Sequence, residues 1–208
     1  MGFEGEYIEF MAQGVIILTA IFTSIFGGVN TLWDRRYGFM NKALTSPISR
    51  SAIAIGKMSA ISLIAALQAS LIIGIALAIG VTFPNPLMII PIMGIVILFS
   101  LGFSGISVTL AATAKSQETF WGMINLLGMP LFMLSPALFP LELLPDWLAV
   151  VAKLNPVTYT ILLVRELMTG VSEGGVPILI SVAVIFAFVV AMVGIASYVF
   201  TREVNKPF

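Results

Sequence analysis

The 208-residue sequence contains no cysteine and no histidine. With them go disulfides, thiolate and imidazole metal sites, nucleophilic cysteine and most hydrolytic triads. The missing cysteine leaves the redox compartment open. Charge is scarce as well, at 10% of residues against about 25% in soluble domains. Ten basic residues balance ten acidic ones, so there is no basic surplus for a nucleic-acid partner. A P-loop is lacking too: Gly56-Lys57-Met58 has neither the upstream glycine nor the following hydroxyl, which excludes that mode of nucleotide binding. The long apolar runs hold no charged residue. Ion-coupled carriers place such groups near the bilayer midplane, so any energy source is expected on another subunit. An intramembrane enzyme fails on the same inventory, because serine and threonine hydroxyls stand without a base.

What is present is apolar. Hydrophobic residues make up 59% of the chain and the mean hydropathy is +1.09, the balance of a membrane protein. Stretches 10–33, 58–114, 119–141 and 174–201 are uncharged. A spanning helix needs roughly 20 residues, so the second stretch is too long for one crossing. It breaks at Thr82–Pro86, where two prolines remove backbone donors and Asn85 suits a turn. The expectation is an all-α polytopic bundle, one domain over 1–208, with five spans at about 10–32, 58–81, 87–113, 119–138 and 175–200. The leader "MGFEGEYIEF" is acidic, unlike a signal peptide, and its apolar sequel reads as a retained membrane helix.

Positive charge sets orientation. Loop 33–57 holds Arg35, Arg36, Lys42, Arg50 and Lys57, half of all the cations. With it inside, Lys115, Arg202 and Lys206 also lie inside, and only Lys153 and Arg165 lie outside. The N-terminus is then outside and the C-terminus cytoplasmic. Within the loop, Tyr37, Met40, Ala43 and Leu44 share one face of a short helix, and Ser46-Pro47 reads as the start of the next. The cations by themselves need do no more than set topology and meet anionic lipid; the apolar face points to a docking partner.

Segment 139–174 differs in kind, mixing apolar residues with six charges. Trp147, Val150, Val151 and Leu154 recur at helical spacing, as do Val157, Ile161, Val164 and Met168. Asp146 reads as a cap, and Asn155-Pro156 as N-cap and first helical residue. Both pieces are short for a crossing, which predicts two outer helices, re-entrant or interfacial.

Two motifs carry a resemblance. The first is "DRRYGFMNKALTSPISRSAIAIGK", with Asp34, Arg35, Gly38, Leu44, Pro47, Ser49, Arg50, Gly56 and Lys57. The second is "FPLELLPDWLAVVAKLNPVTYTILLVRELMTG", with Pro140, Leu144, Pro145, Trp147, Leu148, Asn155, Pro156, Thr158, Tyr159 and Arg165. In this order among these spans, the chain resembles the permeases of type-2, exporter-like ABC transporters over nearly its whole length. It departs at Arg36-Tyr37, where the family often has a second acidic residue, and at Ser135-Pro136, where Ser-Gly is common. Family members typically have six spans, so the sequence is expected to begin one helix late.

The resemblance implies a prokaryotic plasma-membrane permease subunit, itself not an enzyme. Its partners would be a second permease copy, ABC ATPase subunits and membrane lipid, with ATP and Mg²⁺ on the ATPase and no cofactor here. It implies coupling to the ATPase through Asp34, Arg35, Gly38, Met40, Leu44 and Pro47. It also implies an extracellular gate of Trp147, Asn155, Pro156, Tyr159 and Arg165. Scattered hydroxyls and amides without a charged pocket lean toward an amphipathic, lipid-like or drug-like cargo. The alternative is a structural or assembly membrane protein without transport.

Overall fold

The computed structural model describes residues 2–81, 85–136, 145–170 and 175–204, and among them every regular element is helical. Helices satisfy each backbone donor and acceptor internally, as apolar surroundings demand. α1 (Gly2–Gly27) continues through Gly28 into α2 (Val29–Arg36). A short α3 (Phe39–Leu44) precedes α4 (Arg50–Ala78). Asn85 caps a 3-10 turn at Pro86–Met88, its side chain accepting from the Leu87 amide at 3.0 Å, and α5 (Ile89–Thr113) follows. Then come α6 (Gln117–Met133), α7 (Asp146–Lys153), α8 (Pro156–Thr169) and α9 (Ile178–Glu203).

Segments Met11–Arg36, Arg50–Ala78, Pro86–Thr113 and Ile178–Glu203 are long and apolar enough to cross a membrane, and the bent α7–α8 pair would make a fifth. They coincide with four of the five expected spans, and the chain is a multi-pass membrane protein. The expected fourth span, 119–138, falls on α6, and its last two residues lie outside the described ones. α6 has 17 residues, about 26 Å of helix at 1.5 Å per residue. It is therefore shorter than the helices that qualify as spans; it starts just past the C-terminus of α5, and Asn155 of the α7–α8 corner grips its far end, where Phe132 lies against Phe22 of α1.

The start of α4 corrects one expectation. Ser46-Pro47 lies in a bend, closed by the Ile48 amide on the Ser46 carbonyl at 2.8 Å. The cap is Ser49, in extended conformation, its hydroxyl accepting from the Ala52 amide at 3.2 Å. Two serines compete locally, and the one placed three residues before a free helical amide wins.

α5 is the central helix, packed against α1, α4, α8 and α9. Its Gly102 and Gly105 admit close approach by Phe188 and by the Met192 backbone of α9, the small-residue contact typical of membrane bundles. The main core joins Ile16, Ile17 and Ile21 of α1, Val96, Phe99 and Phe103 of α5, and Val157, Ile161, Val164 and Met168 of α8. α8 is therefore wedged among the long helices, not laid across their ends. That placement favours the re-entrant form of the expected hairpin over the interfacial one. α7 meets it at 84°, with Trp147, Val150 and Leu154 all more than 60% exposed.

Candidate functional site

Two regions carry the residues singled out by sequence, one at each end of the bundle. At the loop end, α2 finishes with basic Arg35 and Arg36, and Gly38 follows in the left-handed region at φ +76°. Glycine alone adopts that conformation without strain, and here it turns the chain sharply from α2 into α3. Nothing lies within 4 Å of where a Gly38 side chain would begin, so the residue is needed for conformation and not for space.

Neighbouring residues of α2 grip two different helices. Asp34 forms an ion pair with Lys57 of α4. Arg35 Nη1 donates to the carbonyls of Ala111, Ala112 and Ala114 at 2.9, 2.7 and 3.3 Å. Those are the orphan acceptors of the α5 C-terminus, where a cation also meets the negative end of the helix dipole. Glu203 of α9 acts on Arg35 electrostatically. Arg50 Nη1 reaches the Thr201 carbonyl of α9 at 3.5 Å. Pro47 sits in the bend before α4.

Met40 differs from its expected place. It is 2% exposed, in a cluster with Ala54 and Met58 of α4, Val108 and Ala112 of α5, and Phe200 of α9; Leu44 packs against the same cluster. The face carrying them points inward because α4, α5 and α9 end together at this level and close over it. The most exposed large apolar groups of the loop are Tyr37 at 67%, Phe39 at 60% and Ile48 at 56%. The Lys42 ammonium lies 5.9 Å from the centre of the Phe39 ring. Sequence reading passed over Phe39, and its one signal was its position next to Gly38. Lys57 stood in the quoted motif but not among the chosen residues.

At the hairpin end, Asn155 is 5% exposed and does three things. Its Oδ1 accepts from the Val157 amide at 3.0 Å, capping α8 as expected, while Nδ2 donates to the Leu131 carbonyl at 2.6 Å and the Leu134 carbonyl at 3.4 Å. Pro156 is the first residue of α8. Tyr159 closes the corner through its hydroxyl on the Lys153 carbonyl at 2.7 Å. Arg165 is fully buried, with Nη2 on the Pro136 carbonyl at 2.9 Å. Asn155, Pro156 and Tyr159 thus meet at the α7–α8 corner, and Arg165 reaches from further along α8 to the segment that follows α6. Trp147 points away at 69% exposure. α7 starts at Asp146, preceded by Pro145. Beside the corner lies an apolar cleft of about 320 Å³, lined by Leu126, Leu131, Val151, Leu154 and Asn155 among others.

The profile of the "ABC-2 type transporter" family matches residues 3–169. A transport permease designated ycf38, from Cyanophora paradoxa, is 30% identical over 79% of this chain and 57% of its own length. Nodulation protein J of Sinorhizobium fredii is 26% identical over 87% of this chain and 69% of its own. The daunorubicin resistance ABC transporter permease protein DrrB1 of Streptomyces coeruleorubidus is 23% identical over 79% and 59%. The chain spans less than three fifths of the length of the ycf38 proteins it matches. A family profile covering most of the chain, on a multi-helix membrane bundle, leads to one conclusion: the chain belongs to the ABC-2 type transporter family of membrane permeases.

Proposed function

We propose that the chain is the membrane subunit of an ATP-driven exporter in a prokaryotic plasma membrane. It works with a second permease and ABC ATPase subunits, which hold the ATP and Mg²⁺. Loop 33–57 lies on the cytoplasmic side and the α7–α8 corner on the outer side. The observation that carries this reading is the pair Tyr37 and Phe39, exposed on either side of Gly38. They stand on a turn whose neighbours Asp34 and Arg35 are fastened to α4 and α5. An exposed aromatic tip on a rigid base suits a partner that pushes on the bundle, and aromatic side chains anchor such interfaces. The corner of Asn155, Pro156, Tyr159 and Arg165 serves as the outer gate.

The cargo is amphipathic. The apolar cleft beside that corner supports this, and so does a relative whose name speaks of daunorubicin resistance. The test is reconstitution in liposomes with an ABC ATPase from the same organism, following ATP-dependent movement of a fluorescent phospholipid analogue. Phe39→Asp places a charge in the apolar contact, so it should abolish movement and stimulated hydrolysis together while membrane insertion survives. Normal stimulated hydrolysis in that variant would refute docking at the tip. Absence of ATP-dependent movement in the wild type would return the chain to a structural or assembly role.

A further inference from the structure

Arg35 stands two residues before the exposed Tyr37, yet its guanidinium turns into the bundle and takes three carbonyls at the end of α5. From this geometry we infer that Arg35 is a positioning residue, the link through which movement of the Tyr37–Phe39 tip is carried into the central helix. The inference rests on the reading that an ATPase meets the tip. It differs from the sequence-level expectation, in which Arg35 could itself meet the ATPase.

Three observations make α2, with the last turn of α1 that leads into it, one body with α5. At its start, α2 is held by contact: a side chain on Gly28 would begin 2.6 Å from the Ser107 backbone of α5, so nothing but hydrogen separates the two helices there. One turn earlier, in α1, the Ser24 carbonyl accepts from the Ser107 hydroxyl at 2.7 Å. At its end, α2 is held by Arg35 on the last turn of α5. A helix of eight residues pinned at both ends cannot slide along its neighbour. Asp34 meanwhile ties the same turn to α4 through Lys57, so displacement of the tip moves α4 and α5 together. α5 then carries it outward, because it packs on α1, α8 and α9. The guanidinium suits the task because its plane fixes the direction of the Nη1 hydrogens that meet these carbonyls, where lysine presents rotatable donors on a flexible stem.

The experiment uses the full native chain with its ATPase in liposomes, and Arg35→Gln and Arg35→Lys variants normalised to folded permease carrying bound ATPase. Arg35→Gln should keep ATPase binding and basal hydrolysis but lose transport per ATP hydrolysed by about 5- to 150-fold, the range of an allosteric coupling energy. Arg35→Lys should recover part of it. A purely structural role would lower the amount of complex and leave transport per complex unchanged, which would overturn the inference. Loss confined to ATPase binding would overturn it too, by making Arg35 a docking group. A second measurement keeps Arg35 in place: spin labels on Asn41→Cys and Thr113→Cys, in a chain without native cysteine, should hold one separation through the ATP cycle. A separation that changes with nucleotide would show the tip moving independently of α5. A wild-type complex with no ATP-driven transport would overturn both this inference and the reading it rests on.

Discussion

Gly28→Ala is the sharpest test of the packing that joins α2 to α5. The backbone at Gly28 is ordinary right-handed helix, at φ −61° and ψ −22°, so alanine meets no conformational penalty. It meets a steric one: its Cβ would fall 2.6 Å from the carbonyl carbon and oxygen of Ser107, against 3.4 Å or more in ordinary contact. Both obstructing atoms are helix backbone and cannot rotate aside, so the helices must part by roughly 0.8 Å, the difference of those two distances. Overpacking of this kind costs about 3 kcal/mol, at the upper end because no side chain can yield. Parting also stretches the Ser107–Ser24 hydrogen bond, worth about 0.6 kcal/mol between membrane helices. Alanine returns about 1 kcal/mol of helix propensity. The net loss is about 2–3 kcal/mol, which for a protein of this size lowers Tm by roughly 5–10 °C. The assay is thermal stability of the detergent-purified chain. Gly56→Ala and Gly74→Ala in α4, where nothing lies within 4 Å, serve as controls and should melt at or slightly above the wild type. A Gly28→Ala protein that melts with those controls would refute the close approach of α2 and α5.

Three further outcomes are expected. Met40→Ala should lower stability by about 2 kcal/mol or more because Met40 is buried, whereas Phe39→Ala should leave Tm unchanged and weaken ATPase association; the reverse pattern would exchange their roles. Asn155→Ala loses a helix cap and leaves carbonyls at the end of α6 without their donor, costing about 2–3 kcal/mol in a melting measurement. Asn155→Asp should restore only the cap's share, since it keeps the acceptor and removes the donor. Asn85→Cys should react with an impermeant thiol reagent from outside, and Ser116→Cys only after the inner face is opened. Reversed labelling would invert the orientation and remove the loop from the ATPase side.

Local chemistry made some of this legible. Asn155-Pro156 starts α8 where capping logic puts it, because a cap depends on residues two or three positions away. The spacing of Val157, Ile161, Val164 and Met168 marked a face that does enter the core. The same spacing in Trp147, Val150, Val151 and Leu154 marks a face that points outward. In a soluble protein both stripes would be buried; where the surroundings are themselves apolar, periodicity finds a helix face without saying what covers it. For Met40 and Leu44, in the loop, spacing likewise marks a face without naming its cover, and the cover is the bundle's own α4, α5 and α9.

The sequence by itself determined the fold class, the long helices and the family motifs, since uncharged runs of this length leave the backbone no other way to satisfy its polar groups. It also set the charge bias of loop 33–57, because that bias is a count along the chain. Only the tertiary structure decided what Arg35 holds, since its acceptors lie 76 to 79 residues away and are backbone carbonyls, which no side-chain pattern announces. It decided equally that Gly38 turns Phe39 outward and Met40 inward. That choice depends on where α4, α5 and α9 end in space, a relation between distant parts of the chain that exists only once they are packed.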